Sequence, residues 1–497
     1  MLDLSIVEVA IPVIRTDLGT SIEGIQWILN GYEIAFASLL LLGGRIGSRL
    51  GFRPAFIGAA AVFILGSVLC AVAPDLAVLI VGRAVQGAAA AVVVPVGLAL
   101  LDGFYTEPSA KARAIGLWSA LNGIAVAAGP LLGGVIVDHA SWRIIFVPNI
   151  PLVAGAIFLA RRALPVGAKS DAPLGYGSSV LSIAWIALIT YALSTAQSRG
   201  WTSPVTVALI VAAVLLAAIF LVLQYRLGSD ALLPLRFFRT GTFALANASA
   251  LAIGFVPVTT FVVLMLYFQQ ARGWSAAVSG AAFLPVAAGM SLGAPLAGWL
   301  RRSGQFGTLA VGLGATTAAV LSLAFAGTST PFAALVAPLV AFGTGAGLAM
   351  TAANGGAVEG IDDPAAGAAV VNMSLEAGGA LGVAVLISIL DTRYLAALTG
   401  ALQQAGLSGA ALVRSVGTLR GGPPTRGAST AVPVAQIHTA VTAYAGAIRV
   451  VFAIGAVLLA VMLLAVVVGY AVRRWKPPEA PAAQPESAGD QVSGEVR

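Results

Sequence analysis

The sequence predicts an all-α membrane protein with about fourteen transmembrane helices. Hydrophobic residues make up 59% of the 497 residues and glycine adds 58 more, whereas charged residues are only 9%, against about 25% in soluble domains. Apolar stretches of about 20 residues recur along the chain, which is the length needed to cross a hydrocarbon core of about 30 Å. The alternation of apolar and polar residues that marks membrane β-barrels does not occur in these stretches.

Fourteen segments have the required length and composition, and two stretches do not. The segments lie near 1–14, 26–45, 55–73, 77–101, 112–137, 144–161, 176–196, 204–226, 241–269, 276–300, 307–327, 331–353, 366–391 and 443–472. Residues 394–441 predict a long loop before the last segment, and the proline-rich tail 476–497 is typical of disorder. The first segment makes only about 21 Å of helix. Either the first helix is stunted or the start lies upstream, and we expect an upstream start.

The distribution of Lys and Arg predicts the orientation in the membrane. With the N-terminus in the cytoplasm, 17 of the 27 cations lie on the cytoplasmic side, 8 lie outside and 2 fall inside spans. Both termini are therefore expected in the cytoplasm. The net charge of +7 then reflects orientation in the bilayer, and we expect no nucleic-acid partner. The lone Cys70 and the widely separated His139 and His438 predict neither a disulfide framework nor a metal site.

Four short motifs follow one another in order along the first part of the chain. The first runs from Asp3 to Pro12 in helix 1, and Arg83–Gly87 forms another in helix 4. A glycine-rich cationic turn after the second segment contains Gly44, Arg45, Ser48, Arg49, Gly51 and Arg53. The fifth segment carries Gly123, Gly129, Pro130, Gly133 and Gly134. Together with Trp142–Arg143 and Asn149, these motifs resemble those of the major facilitator superfamily, in particular its fourteen-span drug:proton antiporters (EmrB/QacA-like).

The resemblance implies the major facilitator fold, with two six-helix bundles and a two-helix insert. It places the first bundle in residues 1–165, the inserted helices in 166–240 and the second bundle in 241–475. It implies transport by alternating access in a bacterial inner membrane, driven by the proton gradient without a cofactor. The expected partners are a small-molecule substrate, protons and the lipid bilayer, and we expect a monomer.

Ionisable residues inside spans are the candidates for coupling, because each costs about 2.5–3.5 kcal/mol to insert and therefore marks a pathway. They are Asp3, Glu8, Glu33, Arg83 and Glu376. Asp3 matches the helix 1 acid of the family, whereas Glu8 stands where the family usually has Asn. Each acid could instead form a static ion pair with a buried Arg. The glycines and Pro130 of the fifth segment could likewise serve only to pack and bend the helix.

Ser48 departs from the family pattern, which normally has Asp at that position. Serine keeps a hydroxyl group but loses the charge-assisted hydrogen bond, which is about twice as strong as a neutral one. We expect the lock formed by this turn to be weakened, or supplied by another acid. The matching stretch of the second bundle, residues 298–304, is degenerate as well.

Aromatic residues in the spans could form a pocket for planar cations through cation–π contacts. The candidates are Trp27, Tyr32, Phe36, Trp118 and Phe261. The alternative is that these rings face lipid or the membrane interface.

The leading hypothesis is therefore a proton-coupled exporter of amphipathic, often cationic compounds. Export of one endogenous metabolite, such as an antibiotic or a lipid, fits the same motifs. A membrane receptor or non-transporting scaffold would explain the degenerate turns but not the charges inside the spans. A membrane-embedded enzyme is the least supported class, since the sequence shows no nucleophile–base or metal-ligand set.

Overall fold

Helices form all the regular structure in the described part of the chain. The computed structural model describes residues 2–20, 22–105, 107–164, 175–228, 231–233, 235–300, 304–358, 361, 364–419, 422–423 and 432–475. The helices are α1 (Leu2–Asp17), α2 (Ile22–Leu50), α3 (Phe52–Ala71), α4 (Leu76–Phe104), α5 (Pro108–His139), α6 (Asn149–Ala163), α7 (Tyr176–Arg199), α8 (Pro204–Leu227), α9 (Gly241–Ile253), α10 (Thr259–Leu266), α11 (Ala276–Ala281), α12 (Leu284–Trp299), α13 (Gly304–Leu323), α14 (Phe332–Val358), α15 (Pro364–Gln404), α16 (Gly409–Leu419) and α17 (Val434–Trp475). Short 3-10 turns at Trp142–Phe146 and Leu235–Arg239 precede α6 and α9.

Eleven helical stretches in the described residues are long and apolar enough to cross a membrane. They correspond to eleven of the fourteen predicted segments, which confirms an all-α membrane protein. The other three predicted segments are helical, but they are not both long and apolar enough to be counted among these stretches. They are α1, α5 and α7, of which α1 has 16 residues and α7 has an apolar stretch at Gly177–Leu193.

The helices pack into two halves with the pair α7 and α8 beside them. In the N-terminal half, α4 packs on α2 and α3, and α1 packs on α5. In the C-terminal half, α14 packs on α12 and α13, while α15 packs on α9 and α17. The halves meet where α5 contacts α12 and α14 and where α15 contacts α2 and α4. We call the end of the bundle with the α2–α3 turn the Gly51 end, and the opposite end the Trp142 end.

Glycine allows the closest helix contacts in the C-terminal half. A Cβ at Gly378 would overlap the backbone carbonyl of Leu251, and one at Gly382 would overlap that of Phe255. These contacts seat α15 against α9 and the π-helical turn Gly254–Val258, which contains Pro257 and continues into α10. The result is a continuous apolar core that runs through the whole C-terminal half.

Three sequence expectations are corrected by the structure. The predicted loop 394–441 is largely helical, because α15 continues to Gln404, α16 follows and α17 begins at Val434. Alanine, the strongest helix former, recurs at Ala396, Ala397 and Ala401 and carries α15 onward. The glycine-rich turn is shorter than expected, since α2 continues to Leu50 and only Gly51 separates it from α3. The ninth segment is interrupted by π-helical turns at Gly254–Val258 and Tyr267–Ala271. Residues 301–303 and the predicted tail from Lys476 lie outside the described residues.

Candidate functional site

The centre of the N-terminal half contains a buried ion pair between Asp3 and Arg83. Asp3 lies in the first turn of α1 and Arg83 in the first half of α4. Arg83 Nη1 donates to Asp3 Oδ2. The side chain of Arg83 is fully buried and that of Asp3 is nearly so. Because a buried charge is costly unless it is paired and hydrogen-bonded, each residue depends on the other.

Two amide side chains complete the coordination of Asp3. Gln86 Nε2 donates to Asp3 Oδ1 at 3.1 Å, and Asn149 Nδ2 donates to the same oxygen at 2.6 Å. Gln86 also accepts from Arg83 Nη1 at 2.9 Å and donates to Ser67 Oγ at 2.9 Å. We call Asp3, Ser67, Arg83, Gln86 and Asn149 the polar network. It joins α1, α3, α4 and α6, so a change in the charge of Asp3 would be felt by four helices.

Arg83 has donor capacity beyond its bonds to Asp3 and Gln86. Its Nε and Nη2 atoms are buried and have no hydrogen-bond partner among the described residues. The guanidinium group lies 4.5 Å from the ring centroid of Tyr32 on α2, a cation–π distance. Tyr32 in turn stacks on Phe36 at 5.9 Å. A fifth helix thus contacts the charge without neutralising it.

Glu33 and Glu376 belong to opposite halves and lie on helices that pack together. Glu33 follows Tyr32 on α2, and Glu376 lies on α15, which packs against α2. Met373, one helical turn before Glu376, packs against the cluster containing Tyr32 and Phe36. The two carboxyl groups are close enough for their charges to interact. Like charges at one site disfavour double ionisation, so a proton or a cation would relieve their repulsion.

The glycines of α5 bring α1 into place. A Cβ at Gly129 would overlap the side chain of Ser5, and one at Gly133 would lie 3.1 Å from the carbonyl oxygen of Ile6. Gly134 is buried as well. This close approach holds the start of α1, and with it Asp3, against α5. The helix is continuous through Gly123 and Pro130.

The α2–α3 turn makes its described contacts with backbone carbonyl groups. Ser48 Oγ donates to Gly44 O at 3.3 Å within α2, and Arg45 Nη2 donates to Ala231 O at 3.3 Å. Arg53 Nη2 donates to Arg161 O at 2.6 Å at the end of α6. The turn therefore holds α6 and the segment after α8 at the Gly51 end. Gly51 has φ 89°, a value that favours glycine, and Arg49 is exposed.

The five aromatic candidates do not share one pocket. Trp27 stacks on Tyr191 of α7 at 5.5 Å, and the Trp118 ring lies over Gly97 of α4. Phe261 stacks on Phe283 at 5.7 Å and meets Phe342 edge to face at 5.4 Å inside the C-terminal core. Tyr32 and Phe36 alone adjoin the polar network. Glu8 lies on α1, but its side chain is outside the described residues.

A second polar cluster closes the Trp142 end of the same half. Asp17 Oδ2 accepts from Trp142 Nε1 and from Arg143 Nη1, both at 2.9 Å. Arg143 also donates to Ala73 O from Nε and Nη2, at 3.1 and 2.9 Å. The hydrogen bond from Trp142, followed by that from Arg143, holds the pKa of Asp17 below its ordinary value. We call Asp17, Ala73, Trp142 and Arg143 the end latch.

The motifs and the helical architecture agree with a match to a known family. The profile of the Major Facilitator Superfamily matches residues 1–383. The chain belongs to the major facilitator superfamily.

Curated relatives within this superfamily include proteins named for antibiotic resistance and export. The chain is 34% identical to the cephamycin export protein CmcT of Amycolatopsis lactamdurans, over 78% of this chain and 81% of that protein. It is 34% identical to the puromycin resistance protein pur8 of Streptomyces alboniger, over 85% and 84%. It is 35% identical to the methylenomycin A resistance protein of Bacillus subtilis (strain 168), over 59% of this chain and only 62% of that protein. Major facilitator proteins are a class of transporters, not of enzymes.

Solved structures share the major facilitator fold at low sequence identity. The human organic anion transporter MFSD10 (TETRAN) is 15% identical with a TM-score of 0.51, covering 92% of this chain and 96% of that chain. An auto-inhibited POT family peptide transporter is 14% identical with a TM-score of 0.54, covering 97% of each chain. At this identity the likeness shows the fold alone.

Asp3 and Arg83 are indicated by the sequence, whereas the partners that complete the network are not. Gln86 and Asn149 occurred only as parts of motifs, and Ser67 was not considered. A signal was present, because polar side chains inside apolar spans tend to face the bundle interior and pair there. Applying that rule to amides and hydroxyls as well as to charges would have found all three.

Proposed function

We propose that this protein is a proton-coupled exporter of amphipathic or cationic small molecules, within the fourteen-span drug:proton antiporter branch. The observation that carries the proposal is the buried Asp3–Arg83 pair and the two amides that complete it. A proton on Asp3 would cancel its charge and exchange charge-assisted hydrogen bonds for weaker neutral ones. Protonation would therefore loosen α1 from α4 and α6.

Alternating access would couple that loosening to transport. Repeated bundles of this kind rock about a substrate site near the middle of the bilayer. Glu33 and Glu376 lie on opposite halves, so a cationic substrate between them would hold the halves together and a departing one would release them. Each charge that crosses 100 mV supplies about 2.3 kcal/mol, enough to raise substrate against a gradient.

The proposed topology follows from the same branch. α1, α5 and α7 would cross the membrane together with the eleven longer apolar stretches, since each packs among them. α7 and α8 would be the inserted pair, the Gly51 end would face the cytoplasm with both termini, and the protein would act as a monomer in the bacterial cell membrane. The proton gradient would replace any cofactor.

Export of one endogenous antibiotic is the second candidate. It is favoured by relatives such as the cephamycin export protein CmcT, whose name specifies a single compound class. Another relative is the multidrug resistance protein Stp of Mycobacterium tuberculosis (strain ATCC 25618 / H37Rv), 31% identical over 81% of this chain. A substrate panel of cationic dyes, puromycin, a cephamycin and methylenomycin separates the candidates, because one transported compound indicates a dedicated exporter.

Uptake by inverted membrane vesicles with an imposed pH gradient tests the mechanism. We expect the wild type to accumulate substrate until the gradient is dissipated, and Asp3→Asn and Glu376→Gln to lose at least tenfold in rate. Asp75→Asn is the matched control, because Asp75 caps the exposed start of α4 and Asn caps helices equally well. Wild-type transport that persists without a proton gradient would show that the antiport mechanism is wrong.

A further inference from the structure

A groove of about 780 Å³ runs along the surface between α15 and α17 at the Trp142 end of the bundle. It lies outside the polar network and the Glu33–Glu376 pair. The two helices run antiparallel there, and the rings of Tyr394 and Tyr444 meet edge to face at 5.0 Å behind it. Its volume is within the range of about 300–1,000 Å³ that is common for small-molecule sites.

The polarity of the groove changes along its length. Because the helices are antiparallel, His438 and Thr439 lie with Ala401 towards the end of the hairpin, whereas Gly446 and Val450 lie deepest. Arg393 is next to Tyr394, whose ring contacts that of Tyr444. Arg393 therefore lies at an intermediate depth, between His438 and Val450. The groove is therefore polar and cationic towards the hairpin end and apolar towards Val450. This polarity is complementary to that of an amphiphile with an anionic head.

Arg393 lies at the boundary between apolar and polar sequence. From residue 366 to residue 390 the one charged side chain of α15 is Glu376, and the next charges are Asp391 and Arg393. This boundary is where a membrane helix reaches the headgroup layer. Arg393 is exposed and makes no ion pair with any residue that the structure describes. Its charge is thus available at the depth of lipid phosphates.

Gly446 leaves open space in the apolar part of the groove. A Cβ at this position would meet no atom within 4 Å, in contrast to Gly378 and Gly382, which are filled by neighbouring backbone. Glycine inside a helix costs about 1 kcal/mol relative to alanine. The protein's own packing does not use the space that this glycine leaves, so an acyl chain can occupy it.

The charge balance at this end also points to an anionic ligand. On the side that the sequence predicts to be external, the C-terminal half carries Asp391 as its one acid. Its arginines there are Arg272, Arg393, Arg414, Arg420 and Arg426. Orientation in the membrane favours cations on the opposite side, and of these arginines Arg393 is the one that lines the groove.

We propose that the groove between α15 and α17 binds an anionic phospholipid from the leaflet at the Trp142 end. The lipid phosphate accepts from Arg393, and an acyl chain lies over Gly446 towards Val450. The proposal concerns lipid binding alone and does not depend on which substrate is transported.

Native mass spectrometry of the full-length protein released from nanodiscs tests this proposal. The lipids compared are phosphatidylglycerol and phosphatidylcholine with identical acyl chains. One cationic side chain at a membrane surface favours an anionic headgroup about fivefold. We therefore expect phosphatidylglycerol to be retained about fivefold more often than phosphatidylcholine. Equal retention of the two lipids would overturn the proposal.

Three variants locate the site. Arg393→Gln is expected to remove the preference for phosphatidylglycerol, and Gly446→Leu is expected to lower retention of both lipids by filling the groove. Arg414→Gln makes the same charge change on the exposed face of α16 and is expected to behave as the wild type. Thermal unfolding identifies any variant that is misfolded. If either Arg393→Gln or Gly446→Leu is folded, that variant alone is sufficient to test the site. If Arg414→Gln lowers the preference for phosphatidylglycerol as much as Arg393→Gln does, the assignment of the lipid to this groove is wrong.

Two further measurements distinguish the possible occupants. Inorganic phosphate at millimolar concentration is not expected to displace the lipid. Displacement by phosphate together with normal binding in Gly446→Leu would show a free-anion site, and would overturn the lipid assignment. Analytical ultracentrifugation is expected to show the same mass for the wild type and Gly446→Leu. A wild-type dimer that this substitution dissociates would show that a second copy occupies the groove.

Discussion

The two halves differ in what holds their helices together. In the N-terminal half the polar network connects four helices through a carboxylate, a guanidinium and two amides. In the C-terminal half α9 and α15 meet through glycine and a neutral hydrogen bond. That bond runs from Ser374 Oγ to Asn247 Oδ1 at 2.9 Å. An apolar core extends through the C-terminal half, and the buried polar side chains described there are all uncharged. The two halves are therefore built for different mechanical behaviour.

The difference indicates where a proton can act. If Asp3 takes up a proton in the proposed transport cycle, the charge changes at the meeting point of four helices, and the packing of the N-terminal half would change with it. In the C-terminal half, backbone contacts at Gly378 and Gly382 do not titrate. Its carboxyl group at Glu376 is partly exposed and lies near Glu33 of the other half. We infer a titratable half that moves against a stiffer partner.

The largest expected effect comes from breaking the ion pair. Arg83→Gln leaves the carboxylate of Asp3 buried without its cation, which costs about 3–5 kcal/mol. The matched change in the other half, Ser374→Ala, removes a neutral hydrogen bond worth about 0.5–1.5 kcal/mol. Thermal unfolding of the purified protein in detergent should therefore show a much larger loss for Arg83→Gln.

A double variant separates charge from packing at the same position. Asp3→Asn combined with Arg83→Gln removes both charges, so it should be more stable than Arg83→Gln alone. If the double variant is as unstable as the single one, the cost lies in shape and not in the unpaired charge. Equal losses for Arg83→Gln and Ser374→Ala would remove the distinction between the halves.

A smaller effect is expected from the glycine contacts of the C-terminal half. In Gly378→Ala the new methyl group would overlap the Leu251 carbonyl, and backbone cannot turn aside as a side chain can. Overpacking of this kind costs about 1–3 kcal/mol. Gly379→Ala is the control, because its Cβ would lie 3.5 Å from Val258, an ordinary contact.

Unfolding midpoints measured at pH 6 and pH 8 complete this test. We expect Gly378→Ala to lower both midpoints equally, since no titratable group takes part, and Gly379→Ala to leave both unchanged. A loss that varies between the two pH values, or an equal loss in both variants, would contradict a stiff and non-titrating helix contact.

The sequence predicted the helices better than their ends. Apolar stretches mark each span, but helix ends depend on local propensity, so the alanine-rich continuation of α15 past residue 391 was taken for loop. The same limit applied to α2, where the glycines at 43, 44 and 47 suggested a turn. In the structure Gly43 and Gly47 lie within the helix, against Ala91 and Val96 of α4.

The candidate site was predicted in part. Asp3 and Arg83 could be paired from sequence because isolated charges in apolar spans need partners. The five aromatic candidates lie in different parts of the molecule, because ring-rich segments do not reveal which helix each ring meets. Phe261 contacts Phe283 and Phe342, far along the chain from Tyr32. The polar network needed the relative placement of four helices, which spacing along one chain does not supply.

The smallest expected effect concerns the end latch, where charge again stabilises the N-terminal half. Asp17 and Arg143 are partly exposed, with 48% and 31% of their side-chain surfaces accessible, so the contribution is modest. Hydrogen bonds from Trp142 and Arg143 lower the pKa of Asp17 from 3.8. A lowered folded-state pKa stabilises the fold at pH values above 3.8, and this stabilisation is lost as the pH falls through the folded-state pKa. Asp17→Asn should therefore be less stable than the wild type at neutral pH.

The pH profile of unfolding midpoints tests the cause of that shift. The difference between the wild type and Asp17→Asn should be constant from neutral pH to about pH 5 and shrink at lower pH. Trp142→Phe keeps the ring but removes the donor that contributes most to the shift. In the Trp142→Phe background, the stability difference caused by Asp17→Asn should be smaller at neutral pH. The pH at which this difference disappears should move closer to 3.8. A difference that grows as the pH falls would reverse the sign of the argument. A profile unaltered by Trp142→Phe would assign the shift to Arg143 instead.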